Sequence, residues 1–90
     1  MLNSPHAEAW SAFYASTTKG SVLDERTMVL VALAAAMAVD CEPCVEGYLS
    51  KCKEIGITDA EISDVLAKVM AVSAGKNKIK YARIVARTSK

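Results

Sequence analysis

Apolar residues recur along the chain at intervals of three and four, broken by short polar stretches, and this spacing predicts helices throughout. A first helix is expected from Ser4–Pro5, with Ser4 as N-cap and Pro5 at the first helical position. It carries Ala9, Trp10, Phe13 and Tyr14 and ends before Thr17-Thr18-Lys19-Gly20. Ser21 or Asp24 caps a second helix that runs to about Val39. A third starts at the Cys41/Cys44 pair and ends near Ile55–Gly56, where glycine suits a left-handed residue. Thr58 and Glu61 form a capping box, opening a fourth helix with Ile62, Val65, Leu66, Val69 and Met70 on one stripe. Gly75 interrupts that pattern, and Asn77–Arg87 reads as a fifth helix with Ile79, Ala82, Val85 and Ala86 on a face. No stretch alternates cleanly enough for a strand. The expectation is one all-α domain over residues 1–90, a small bundle of about five helices.

The second helix departs from ordinary amphipathic design. Met28 to Val39 is unbroken apolar sequence, so the helix has no polar side to turn to water. Four short companions cannot cover it on every side, and a homo-oligomer is expected. Composition agrees with a folded domain. An apolar content of 52%, 23% charge and a net charge of +1 exclude disorder. The run Met28–Val39 is too short to span a bilayer, so no membrane association is expected. With no signal peptide visible either, the expected location is the cytoplasm. Charge is uneven. Residues 76–90 hold Lys76, Lys78, Lys80, Arg83, Arg87 and Lys90 and no acid. With Tyr81 as their single aromatic and no binding motif, they read as a solvated face paired with the acidic body, and nucleic acid is not an expected partner.

Candidate chemistry is confined to the cysteines. Three is an odd number, against a closed disulfide framework. A structural zinc site needs four ligands, and the chain's single histidine, His6, is remote in sequence, so no metal or cofactor is expected. Cys41-Glu42-Pro43-Cys44 reads instead as a redox dithiol at a helix start, where unsatisfied N–H groups favour thiolate. Glu42 and Glu46 oppose that effect. Cys52 lies about 12 Å further along the same helix, beyond disulfide reach, and reads as a packing residue.

The wider segment carries a resemblance. Leu23-Asp24-Glu25-Arg26, then Leu30 through Cys44, then Val45 to Gly56 and Ile57-Thr58-Asp59-Ala60-Glu61-Ile62, resembles the carboxymuconolactone decarboxylase and alkylhydroperoxidase D-like family over about residues 22–72. The resemblance implies an all-helical fold assembled as a trimer or a hexamer. It also implies a redox-active disulfide, Cys41–Cys44, serving an antioxidant peroxidase that acts on a small peroxide or a disulfide carrier. Decarboxylase members act on a lactone acid and need no dithiol.

Two departures from the peroxidase pattern stand out. A histidine expected one turn after the second cysteine is Tyr48 here, and a glutamate expected twelve residues before the first cysteine is Val29. Tyr48 remains on the face of Cys44, four residues on, as a hydrogen-bond donor and a poor base. Glu25, one turn before Val29, either supplies the missing carboxylate or is a solvated acid of a first helical turn. The candidate catalytic residues are therefore Cys41, Cys44 and Tyr48. The resemblance favours Cys44 as attacker, while a plain helix N-terminal argument favours Cys41. The leading reading is a thiol–disulfide or peroxide-reducing oxidoreductase. The alternatives are a non-catalytic oligomeric member of the fold and a carboxymuconolactone decarboxylase-type lyase.

Overall fold

A computed structural model of the chain describes residues 1–89. These form four helices and no strand: α1 (Ser4–Lys19), α2 (Glu25–Ala38), α3 (Glu42–Glu54) and α4 (Asp59–Thr88). Asn3, not Ser4, takes the N-cap position of α1, so Pro5 sits one residue deeper in a first turn that has no use for its missing N–H. The helix also outlasts its expected end. The Ser16 and Thr17 hydroxyls donate to the carbonyls of Phe13 and Tyr14, at 2.6 and 2.7 Å, within a polar run that stays helical up to Gly20. Asp24 is the cap of α2, accepting from the Thr27 N–H at 2.7 Å, while Ser21 accepts from the Leu23 N–H in the turn before it.

Helices α2 and α3 end in the same device. At the first corner Asp40 takes a left-handed φ of 58°. The Cys41 N–H then reaches the Ala36 carbonyl at 3.0 Å and the Asp40 N–H reaches Met37 at 3.2 Å. At the second corner Gly56 has φ 80°, with Ile57 bonded to Cys52 and Gly56 to Lys53. Glycine was the readable signal. Aspartate is among the few other side chains that visit this region without severe strain.

The expected break at Gly75 is absent. α4 runs straight through it as one helix of 30 residues, roughly 45 Å long by the rise of 1.5 Å per residue. A mid-helix glycine costs only about 1 kcal/mol against alanine, and good helix formers surround this one. The predicted fourth and fifth helices are therefore one element. Its capping box is as expected: the Thr58 hydroxyl accepts from the Glu61 N–H at 3.2 Å, and the Glu61 carboxylate accepts from the Thr58 N–H at 3.0 Å. The same carboxylate pairs with Arg26, tying the start of α4 to α2.

The core is small and sits where α2 crosses α3 and α4. Val29, Leu33 and Ala36 are the buried stripe of α2, and Val29 and Leu33 close against Cys52 and Ile57. Leu33 and Cys52 have no exposed surface at all. Neither α1 nor α4 contains a buried residue. Trp10, Phe13, Val31, Met70 and Ile79 are about half exposed or more. The radius of gyration is 17.6 Å, against roughly 12 Å for a compact chain of this length. The basic side of α4, Lys76, Lys80, Arg83 and Arg87, flanks a shallow groove, and Lys90 lies outside the described residues.

Two predictions follow from this packing. Leu33→Ala empties the centre of the only fully closed region among the described residues and is expected to cost about 3 kcal/mol, read as a lowered urea midpoint. A full-strength midpoint would mean that Leu33 is not central. The Glu61 carboxyl is held at about 2, first by the Thr58 N–H and then by Arg26 and the Thr58 hydroxyl, against an ordinary 4.5. A depressed carboxyl stabilises the fold above its ordinary value and ceases to do so as pH falls from about 4.5 towards 2. The difference in urea midpoint between the wild type and Glu61→Gln should accordingly be largest near pH 6 and shrink by pH 3.

Candidate active site

Cys41 is the N-cap of α3, and Glu42, Pro43 and Cys44 are its first three helical residues. The corner at Asp40 fixes the first sulfur's backbone from both sides. The Cys41 N–H is bound to α2, and its carbonyl accepts from Val45 at 2.9 Å to start α3. Pro43 stands in the first turn, where no N–H is required. With the two Cα atoms 5.2 Å apart, Cys41 and Cys44 are joined as a disulfide. Cys52 is free and wholly buried. Burial pushes its thiol up, against a smaller opposing pull from Arg26, so it is an inert member of the core.

Cys44 opens into a cavity of about 450 Å³ between the last turns of α1 and the α2–α3 pair. From α3 the lining is Pro43 together with Cys44, Gly47, Tyr48 and Lys51, the last four on the i, i+3, i+4, i+7 face of one helix. Both departures from the peroxidase pattern, Val29 and Tyr48, line it too. So does Glu25, at the first turn of α2, which is solvated as well as facing the cavity. Cys41 is half buried and not part of the lining. His6, in the first turn of α1, is exposed and likewise away from it.

Among the lining residues that the sequence reading did not place at the site are Tyr14, Thr17 and Thr18 of α1, and Lys51. Lys51 was reachable by extending the face of Cys44 and Tyr48 one more turn. Tyr14 was not, because its place in an aromatic stripe marks it only as a residue of the first helix. Its hydroxyl is hydrogen-bonded to that of Tyr48 across 34 residues of sequence. That bond, together with partial burial and the nearness of Tyr14, pushes the Tyr48 hydroxyl above the ordinary phenol value. Tyr48 is therefore neutral near pH 7 and serves as a donor, not a base. At the other side of the cavity Lys51 stands 3.8 Å from Glu25 and 3.6 Å from Glu54, so its charge is balanced locally.

Among the described residues, no group of histidine, cysteine or acidic side chains is arranged to hold a metal ion. Nor is any helix long and apolar enough to cross a membrane.

Comparison with known proteins places this architecture. A crystal structure of a protein from Methanobacterium thermoautotrophicum, a structural-genomics target, superposes with a TM-score of 0.86. The two share 26% sequence identity over 91% of this chain and 94% of that one. No curated protein matches. The model of the carboxymuconolactone decarboxylase family matches residues 5–88, from the first turn of α1 to the last residue of α4. With the dithiol, the capped α4 and the α2–α3 corner all inside that match, the chain belongs to the carboxymuconolactone decarboxylase family.

Proposed function

We propose that the chain is a dithiol oxidoreductase that reduces a small peroxide, with Cys44 as the attacking sulfur and Cys41 as the resolving one. The observation that carries this reading is the placement of the pair: Cys44 faces an open cavity while its disulfide partner stands behind it on a fixed backbone. In the cycle, the Cys44 thiolate attacks one peroxide oxygen and the O–O bond breaks. Cys44 becomes a sulfenic acid and the other oxygen leaves as an alcohol or water. The Cys41 thiol then attacks the sulfenic sulfur, releasing water and forming the Cys41–Cys44 disulfide. Two electrons have passed from the thiols to the peroxide, and a dithiol carrier restores them by exchange.

Activation of Cys44 rests on the N-terminal amides of α3. Such a dipole contributes about 0.3–1 kcal/mol when exposed and up to about 2 when partly buried. That favours the thiolate without carrying the thiol far below its ordinary range. Glu42 and Glu46 take back part of that. Reactivity is therefore modest near neutrality. Assembly as a trimer or hexamer, acting in the cytoplasm, belongs to the same proposal. It is supported by the exposed Trp10, Phe13 and Val31, which form more apolar surface than a soluble monomer ordinarily shows.

Mass mapping after peroxide treatment of the reduced protein is expected to find the Cys41–Cys44 disulfide, with Cys52 still a thiol. Thiols untouched by peroxide would turn the reading towards a non-catalytic member of the fold. The alkylation rate of Cys44 should rise with pH through about 8, and Tyr48→His, which installs a base, should raise that alkylation rate near pH 7 several-fold. Full reactivity already at pH 6 would contradict this account of activation. Light scattering should give three or six times the 9.6 kDa chain mass. A helical 9.6 kDa particle at micromolar concentration would exclude the assembly.

A further inference from the structure

The changed relay leaves one chemical need open. When a thiolate cleaves an O–O bond, the departing oxygen leaves as hydroxide or alkoxide, a strong base that needs a proton. Tyr48 is placed to meet that need. It stands four residues after Cys44 on the same face of α3, and both side chains open into the same cavity. Gly47 beside them lines the cavity without a side chain, and a methyl group built there meets nothing, so space is left for a substrate.

The partner on α1 matters equally. The hydrogen bond between the Tyr14 and Tyr48 hydroxyls joins the two sides of the cavity, and either oxygen can act as donor. Such a pair holds two protons and uses one between its members. A rotating hydroxyl can then direct the other to a third oxygen.

On the peroxidase reading above, we propose that the Tyr48 hydroxyl is the acid that protonates the leaving oxygen, and that Tyr14 is its positioning residue. In the empty cavity Tyr48 donates to Tyr14. When a peroxide enters, the bond reverses: Tyr48 turns its proton to the substrate and Tyr14 donates to Tyr48. The Cys44 sulfur gives an electron pair to the near oxygen, the O–O pair passes to the far oxygen, and that oxygen takes the Tyr48 proton. Water or an alcohol leaves, and Tyr48 remains as a phenolate bonded by the Tyr14 O–H. The proton released when Cys44 ionises, or one from solvent, restores it. Phenolate is a far weaker base than hydroxide or an alkoxide, so the proton passes downhill, and Tyr48, held above the ordinary phenol range by its bond to Tyr14, stays loaded near neutrality. It is the reverse of what a base at this position does. Here the thiol ionises with the α3 amides but no neighbouring base, and further help arrives at bond cleavage.

The test uses leaving groups of different basicity on the full-length reduced protein. Peracetic acid expels a carboxylate, which titrates near 4 like a glutamate and needs no proton; hydrogen peroxide expels hydroxide and does. Tyr48→Phe should slow thiol loss with hydrogen peroxide by about 100-fold, within the usual range for a lost general acid, and leave peracetic acid within about threefold. Tyr14→Phe should show the same selectivity at smaller size, about tenfold. Iodoacetamide alkylation, which needs no proton donor, should be unchanged in both. A readout independent of any variant is the wild-type rate in heavy water, slowed with hydrogen peroxide and not with peracetic acid. Equal losses with both oxidants, or no isotope effect with hydrogen peroxide, overturn the acid role and leave the peroxidase reading standing. A wild type inert to both oxidants overturns the two together.

Discussion

Where α2 stops, its last carbonyls need partners and the chain must reverse within three residues. The bond from the Cys41 N–H to the Ala36 carbonyl meets both needs, with Asp40 in the left-handed region as the condition for it. The same cysteine then begins α3 through its own carbonyl. One residue thus closes a helix, opens the next and carries a sulfur. The angle between α2 and α3, the burial of Leu33 against Cys52 and the outlook of Cys44 onto the cavity all follow from this corner.

Core and cavity are two sides of one layer. Val29 is buried against Leu33 and Cys52 and at the same time forms cavity floor. A carboxylate at that position would be a charge set against the largest buried side chains, which is costly unless it is paired. Valine there strengthens a core that has few other members. Tyr48 has the same double character, packed against the core on its ring and hydrogen-bonded at its tip. In this chain both positions contribute to the core, and what Tyr48 offers the cavity is a hydroxyl.

Much of this was legible in the order of residues. Thr58 and Glu61 announced the start of α4, Gly56 the end of α3, and the Cys41/Cys44 spacing a pair at a helix start. Each is a local arrangement, settled within one turn by hydrogen bonds that only those side chains make. Gly75 misled because a glycine permits a break without compelling one. Asp40 went unread because its conformation is demanded by the two helices around it. Tyr14 was read only as a residue of the first helix because an aromatic at helical spacing says nothing of which element it faces, and its partner lies 34 residues away. Long-range pairings of this kind depend on the path of the whole chain. No window of ten residues contains them.

The wall of the cavity formed by α1 has a thermodynamic corollary. That helix buries no residue, and its contact with α3 runs through a pair of hydroxyls. In the single chain its docking free energy is therefore small, and the docked arrangement competes with frayed ones. A molecule seated across the cavity, touching α1 on one side and α3 on the other, adds its own binding energy to that docking. By reciprocity, anything that clamps α1 from outside raises affinity for the molecule inside by the same factor. A neighbouring subunit against Trp10 and Phe13 would act as such a clamp. Occupancy and association would then rise together with concentration, through a coupling that requires no movement of the dithiol.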